Sequence, residues 1–501
     1  MNSLVSVRRL SMSGPILSGF EKEAADRPDA PAVFALSERR VLSFIDLALE
    51  YRTVKRVLDE AGIPSGSCVI SLVGNRPTWF AVFLACLARG NALMPLDADT
   101  TSTEALQLAT RYRASAIVAQ PANGHTPAGT AQALPGGMFL HRLERRHPVS
   151  FQGAALLKLT SGSSGEPKAV LVSEENLWND GRHIVEAMGI RPHDVNYGAI
   201  PLSHSYGLGN LVVPLFIQGT PVALRDLFLP SRLFADAQAS GASVFPGVPF
   251  LFGRILTHFP EGGLPPSFRL LLSAGARIDS SLVVSFKKRF GMKIHSFYGS
   301  SETGGITYDD DEEITDPLNV GTAMPETEVS LRRDDSAPPG EARVYVRGNA
   351  VAARYVESHD GGAASAFVDG GFLTGDLGEW DDQGRLYLTG RVSSFVNVAG
   401  RKVNPKEAEA VILEMPEVAD AKVLGFPCER RGQKLVAFIV PRSSRLSSVQ
   451  VRIYCAEKLT PYKIPRDLIL LDSLPLTARG KVDRQVLEEL ARSRVPGNLD
   501  R

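Results

Sequence analysis

The chain has 501 residues, 44% apolar and 22% charged, a profile that suits a globular protein with room for roughly two to four packing units. Lys plus Arg and Asp plus Glu both total 55, so the formal net charge is zero and gives no reason to expect a nucleic-acid or membrane-surface partner. No apolar stretch approaches the ~18–20 residues needed to cross a bilayer, and no fixed-period repeat suggests a solenoid.

Met1 to Pro15 carries Arg8-Arg9 with no long apolar run after it, which predicts no secretory signal. Cys68, Cys86, Cys428 and Cys455 have neither metal-ligand nor CxxC spacing, so a reduced, cytoplasmic protein is expected. Leu47, Tyr51, Val54 and Leu58 recur at helical spacing, and Gly62 supplies a stop. Cys68 to Val73 reads as a short buried strand, and Trp79 to Leu87 as a second apolar helix. This alternation predicts an α/β fold with mostly parallel sheets.

Loop signals cluster at 121–137, 335–341 and 358–371. Near Val392–Ser394 the character changes to a compact C-terminal segment. Within that segment Asn404-Pro405-Lys406-Glu407 reads as an N-cap, a first-turn proline and a capping-box glutamate, starting a helix that runs to about Glu414.

The segment that speaks most directly of chemistry is Leu159-Thr-Ser-Gly-Ser-Ser-Gly-Glu-Pro-Lys-Ala-Val170. Thr160, Ser161, Ser163 and Ser164 supply hydroxyl donors for phosphate oxygens, Gly162 and Gly165 let the backbone approach a ligand, and Lys168 adds a point charge. The spacing is not GxxxxGK[ST], so this is not the P-loop of nucleotide triphosphatases. Taken alone, it could also be a Ser/Gly-rich surface loop.

The segment resembles the phosphate-binding signature of the adenylate-forming superfamily, which includes acyl-CoA synthetases, firefly-type luciferases and peptide-synthetase adenylation domains. The resemblance continues in order through Pro201-Leu-Ser-His-Ser-Tyr-Gly-Leu208, Leu272-Ser-Ala-Gly-Ala276 and Phe297-Tyr-Gly-Ser-Ser-Glu-Thr-Gly304. It runs on through Thr374-Gly-Asp-Leu-Gly378, Gly390-Arg391, Val398-Ala-Gly-Arg-Lys-Val403 and Pro475-Leu-Thr-Ala-Arg-Gly-Lys481. Weaker matches at Ser43–Leu47 and Gly74–Pro77 extend it over the whole chain.

The resemblance implies a large N-terminal α/β domain (1–391) of β-sheets flanked by helices, a hinge (392–394) and a small mobile α+β lid (395–501). It also implies ATP-dependent activation of a carboxylic acid to an acyl-adenylate, with pyrophosphate released and the acyl group then passed to a thiol. ATP, Mg2+ and CoA, or a carrier protein's phosphopantetheine, are the implied cofactors and partners. Thr160 to Gly165, Lys168, Gly275, Ala276, Phe297, Tyr298, Gly299, Ser301, Asp376 and Arg391 would bind ATP. Tyr298 would stack on adenine, Gly275-Ala276 line its other side, Asp376 accept from the ribose hydroxyls, and Glu302 reach the magnesium ion. A single carboxylate suits an ion that keeps several waters, and an acceptor-only group suits a pair of hydroxyl donors.

By the same resemblance Lys481 is the lysine that the lid swings in for adenylation, Lys168 has a lesser charge role, Ser393 is the hinge residue, and Gly400 lets a pantetheine arm pass. Ser393-Ser394 departs from the Asp or Lys common at the hinge. Asn397 stands where luciferases carry a lysine, which speaks against luciferase activity. His204, Tyr206, Gly207, Gly275, Gly299 and Gly304 would form the substrate pocket, with His204 also counted among the catalytic residues. Tyr206 stands where amino-acid-activating relatives have an aspartate, so an α-amino acid is disfavoured. Gly207 and Gly209 either open the acyl pocket or pack closely. Fatty and aryl acids both remain candidates, an acyl-carrier protein or an amine remains an alternative acceptor, and a non-catalytic binding descendant is the reading from another class.

Overall fold

The computed structural model describes residues 14–121, 131–144, 149–161, 167–259, 263–314, 316, 319–333, 341–356, 366–391, 396–428, 432–442, 446–475, 482 and 484–494. The amphipathic pattern around Leu47 forms the helix Phe44–Glu60, started by a Ser43–Asp46 capping box, and its apolar stripe is buried. Cys68–Ser71 is a fully buried strand, and the apolar run after it is the helix Thr78–Arg89, closed by Gly90 at φ 67°. Two of the expected loops carry short elements. A strand at Ala131–Ala133 and a 3-10 turn at Pro135–Gly137 lie in the first, and a strand at Phe367–Val368 lies in the third. Register with neighbouring strands holds these pieces, although they are too short and polar to show a period.

A nine-stranded and an eight-stranded sheet form the body. In the first, Pro31–Ala35, Val222–Leu224, Asn196–Gly198, Val244–Gly247, Leu270–Ser273 and His295–Ser300 run parallel. In the second, Ala116–Ala119, Cys68–Ser71, Ala92–Pro95 and Leu156–Ser161 run parallel. One core joins residues of both sheets, such as Val33, Leu42, Val69 and Leu93, to helix residues between them, including Phe20, Phe44, Phe80 and Phe216. Phe20 meets Phe216 edge-on at 5.8 Å. Separate cores cover the outer faces, with Leu108 of the helix Ser102–Arg111 on one and Phe252 and Phe286 on the other. The result is a helix–sheet–helix–sheet–helix stack, as parallel sheets buried on both faces require.

Among the described residues there are also two five-stranded sheets. One spans Thr327–Arg332 to Leu386–Arg391. The other is built wholly from residues between Val396 and Leu470. Its core of Val396, Val403, Ile412, Val423 and Ala437 contains no residue from before the Val396 strand. Asn404 caps the helix Pro405–Leu413 by accepting from the Lys406 N–H at 3.0 Å. The Glu407 carboxylate meets Lys463 at 2.8 Å. The expected hinge at 392–394 lies outside the described residues.

Candidate active site

A cavity of about 1080 Å³ opens where strands of both large sheets end. Residues just beyond their carboxyl ends line it: Leu96 and Asp97, Ile200 and Pro201, Val248 and Phe250, Ala274 and Gly275, Ser301 and Glu302. This is where parallel sheets leave room for ligands, because the chain turns away there into loops.

One corner of the cavity is made by strand register. Asp376 and Arg391 face each other across the neighbouring strands Gly371–Trp380 and Leu386–Arg391, which brings Arg391 Nε to 3.1 Å from Asp376 Oδ1. The Tyr298 hydroxyl donates to Asp376 Oδ2 at 2.8 Å. Burial, together with that carboxylate, pushes the Tyr298 phenol well above its ordinary pKa, so the hydroxyl stays a donor. The Tyr298 ring packs with Ile306, Val344 and Leu386 and is not part of the cavity wall, so in this arrangement it positions Asp376. Gly275 lines the cavity at φ 82°, whereas Ala276 beside it does not.

Thr160 and Lys168 lie on the paired strands Leu156–Ser161 and Pro167–Val172 and reach the same space. Lys168 Nζ lies 5.4 Å from the centre of the Tyr355 ring, and the Tyr355 hydroxyl donates to Glu302 Oε1 at 2.8 Å. Burial and the Glu302 charge push the Tyr355 phenol upward, which keeps its proton on oxygen. Ser301 accepts from the Ser205 hydroxyl at 3.0 Å. The Ser161 side chain, Gly162, Ser163, Ser164, Gly165, Ser393 and Lys481 lie outside the described residues.

The second corner is largely apolar. The Tyr206 ring meets Phe297 at 5.8 Å, and its hydroxyl is occupied by the Leu272 carbonyl at 3.1 Å. Gly207 lines the cavity, but a Cβ there would come within 2.1 Å of the Pro201 carbonyl. At Gly209 it would meet Ile184 at 2.6 Å, so both glycines serve close packing. Gly299 and Gly304 sit at the facing ends of the paired strands His295–Ser300 and Gly304–Tyr308, where a Cβ on Gly299 would lie 2.6 Å from the Gly304 carbonyl. His204 lines the cavity with Nε2 3.2 Å from Asp97 Oδ1. Burial opposes the Asp97 charge, but His204, Arg401 and the Ser203 hydroxyl outweigh it and hold the carboxyl well below the usual range.

The hairpin between Val396–Val398 and Arg401–Val403 borders the cavity through Ala399, Gly400 and Arg401. Its two-residue turn has Ala399 at φ 53° and Gly400 at φ 86°, the twist a tight hairpin favours. The Asn397 side chain ties it twice, accepting from the Gly400 N–H at 2.9 Å and donating to the Gly275 carbonyl at 3.0 Å. A Cβ on Gly400 would lie 2.8 Å from Val248. Behind the hairpin, Glu104 accepts from the Thr460 N–H at 3.1 Å and pairs with Lys463 at 2.5 Å. Arg401 reaches Asp99 at 3.1 Å and lies 4.5 Å from the centre of the Tyr462 ring. Burial works against the Lys463 charge, yet Glu407 and Glu104 hold its pKa above the ordinary lysine value.

Sequence reading did not single out Asp97, Glu104, Lys158, Asp180, Tyr355 or Lys463. Each is a lone polar residue in an unremarkable segment, and only the signal of a charge inside an apolar strand, as at Lys158, could have marked one of them.

The family model described as AMP-binding enzyme matches residues 20–356, and that of the AMP-binding enzyme C-terminal domain matches 407–481. The chain is 26% identical to sulfoacetate–CoA ligase of Cupriavidus necator over 489 residues, covering 92% of this chain and 95% of that one. It is 27% identical to 2-succinylbenzoate–CoA ligase of Geobacillus kaustophilus over 470 residues, covering 92% and 95%. In fold it resembles o-succinylbenzoate CoA synthetase from Bacillus subtilis, with a TM-score of 0.82 at 23% identity over 94% of this chain and 98% of that one. It also resembles the amide bond synthetase McbA from Marinactinospora thermotolerans, with a TM-score of 0.79 at 24% identity over 95% and 99%. With its strand-end cavity and two matched regions, the chain belongs to the AMP-binding enzyme family.

Proposed function

We propose that this enzyme is an acid–thiol ligase that activates a carboxylic acid with ATP, releases pyrophosphate and passes the acyl group to the thiol of CoA. The observation that carries this reading is one cavity joining a carboxylate–arginine corner, a lysine and glutamate edge and an apolar pocket, with the Gly400 hairpin at its mouth. Asp376 accepts from the two ribose hydroxyls, held in place by Tyr298 and Arg391. Lys168 draws the outer phosphates. Glu302 is the residue to hold a magnesium ion, its carboxylate fixed by Tyr355. Among the described residues no cluster of three metal-binding side chains exists, and a single carboxylate fits an ion that keeps most of its waters. Such an ion supplies charge that offsets the repulsion between two anionic reactants.

The acid lies along Tyr206, Phe297 and Gly304, with its carboxylate toward Lys168 and His204. The proximity of the reactants and the exclusion of water by the hairpin supply much of the rate. The Gly400 backbone, free of a side chain, borders the path of a pantetheine arm, and residues 395–501 act as the lid that turns about Ser393. In that division Lys481 serves the first half-reaction and the observed hairpin placement serves the second. No helix among the described residues is long and apolar enough to cross a membrane.

The test is pyrophosphate release with ATP, magnesium and a panel of fatty, aryl and dicarboxylic acids, with and without CoA. Acid-dependent release followed by an acyl-CoA product supports the reading. Adenylate formation that CoA leaves unchanged points to an amine or a carrier protein as acceptor. Absence of release with every acid overturns it.

A further inference from the structure

The apolar corner of the cavity also holds a buried carboxyl group away from the Asp97–His204 pair. Asp180, on the helix Glu174–Ala187, lines the cavity and is only 4% exposed. One of its oxygens, Oδ1, accepts from the Gly305 N–H at 2.8 Å. Among the described residues neither a second hydrogen-bond donor nor an ion-pair partner reaches this carboxylate. Lys158, also 4% exposed and on the strand Leu156–Ser161, acts on it from beyond ion-pair distance, and His183 acts on it from the same helix. Burial pushes the Asp180 pKa upward, and Lys158, the Gly305 N–H and His183 oppose that rise.

The surroundings are shaped around this group. A Cβ on Gly304 would come within 2.4 Å of Asp180 Oδ1, and one on Gly209 within 3.1 Å of Oδ2. Gly209 belongs to the π-helical segment Leu208–Val212, a widening that recurs at functional sites. Two elements therefore give way to a carboxylate that leaves one oxygen without a protein partner. That oxygen belongs to a residue of the cavity lining, where a ligand that displaces water must replace its hydrogen bonds or lose affinity.

We propose that Asp180 selects the acid substrate, accepting a hydrogen bond from a hydroxyl or amino group carried on the chain or ring of the acid, within an otherwise apolar wall of Ile184, Tyr206 and Phe297. This rests on the cavity being the acyl-activating site, and it names the substrate class that site takes: an acid with a donor on its tail. A site built to accept such a bond discriminates strongly against the analogue that lacks it, because the carboxylate is then desolvated with nothing in return. It also excludes a tail carboxylate, whose charge has the wrong sign.

The test uses matched acids that differ only in a tail hydroxyl, a tail amine, a hydrogen or a carboxylate, with binding measured by calorimetry and turnover by pyrophosphate release. The intact enzyme is expected to favour the hydroxyl or the amino acid over the bare analogue by about 100-fold or more. Asp180→Asn keeps the shape and a carbonyl for Gly305 but turns an NH2 toward the cavity, so that preference should fall at least about tenfold. A hydroxyl preference and an amine preference separate in this variant, since only the amine loses a charge partner. Equal binding of the donor acid and the bare analogue by the unmodified enzyme overturns the proposal, even if the variant fails to fold. An unchanged preference in a folded Asp180→Asn protein overturns it too. Selective binding without pyrophosphate release leaves the donor preference standing and removes the ligase reading.

Discussion

The corner around Asp376 and the junction around Glu104 are both polar, partly buried and essential to the cavity's shape, yet they are built in opposite ways. At the corner, Asp376 and Arg391 are cross-strand neighbours, so one antiparallel register delivers both. At the junction, Glu104 meets Thr460 and Lys463 across 356 and 359 residues of chain, and Arg401 meets Asp99 across 302. The corner is fixed once its sheet forms. The junction exists only while residues 396–475 rest against the body in the observed placement. In the proposed function, nucleotide binding falls to the corner, which one strand register fixes, and access of the acyl acceptor to the junction, which depends on contacts far apart in the chain.

Breaking the first half-reaction should give the largest effect. Lys481→Ala is expected to lower acid-dependent pyrophosphate release by about 10²–10³-fold. Transfer from a preformed acyl-adenylate to CoA should stay within about threefold of normal, since the proposed role gives the lysine no part in it. Equal losses in both assays would erase the proposed division between Lys481 and the hairpin. Next in size, Asp376→Ala strips the Tyr298 hydroxyl and Arg391 of their shared acceptor and the ribose of its own. Initial rates against ATP should show kcat/KM lowered by about 30–100-fold, chiefly through KM. A loss confined to kcat would mean that Asp376 acts on the reacting atoms instead.

The junction responds differently. Glu104→Gln removes one charge beside Lys463, which keeps Glu407 at 2.8 Å, so the contact weakens without leaving a bare buried cation. Single-turnover transfer from preformed adenylate should slow by about tenfold, equivalent to ~1.4 kcal/mol, with pyrophosphate release unchanged or faster. Slower pyrophosphate release with normal transfer would show that the junction supports the other half-reaction.

The contrast also explains what the sequence could reveal. The helix Phe44–Glu60 was legible because its apolar stripe has the helical period and Ser43 and Asp46 cap it locally. The α/β layering follows from buried strands such as Cys68–Ser71 alternating with helices. Thr374-Gly-Asp, Gly390-Arg391 and Phe297-Tyr-Gly were legible as short runs whose neighbours in sequence are neighbours in space. Tyr298 was legible as a residue and less so as a neighbour, since its contact with Asp376 spans 78 residues. Asp97, Glu104 and Lys463 were not legible at all. An isolated acid or lysine carries no periodic or spacing signal, and its partner is set by how two separately built sheets come to rest. Asp180 was hidden in the same way: on its helix it reads as one polar residue among several, and only the fold turns it toward the cavity.

The smallest expected effect lies at Ala399, in the hairpin turn that lines the cavity. It sits at φ 53°, a left-handed conformation that costs an L-residue about 1–2 kcal/mol relative to glycine. Ala399→Gly relieves that strain but gives the unfolded chain more freedom, which costs about 0.4–1 kcal/mol. The two nearly offset, so thermal unfolding should shift stability by less than ~1 kcal/mol, and neither half-reaction should change by more than about twofold. The Asn397 side chain fixes the turn from both sides, through the Gly400 N–H and the Gly275 carbonyl, so the added glycine freedom finds little room in the folded state. A marked slowing of acyl transfer in Ala399→Gly, with stability unchanged, would show that the strained turn itself, rather than the ion pairs behind it, holds the hairpin at the cavity mouth.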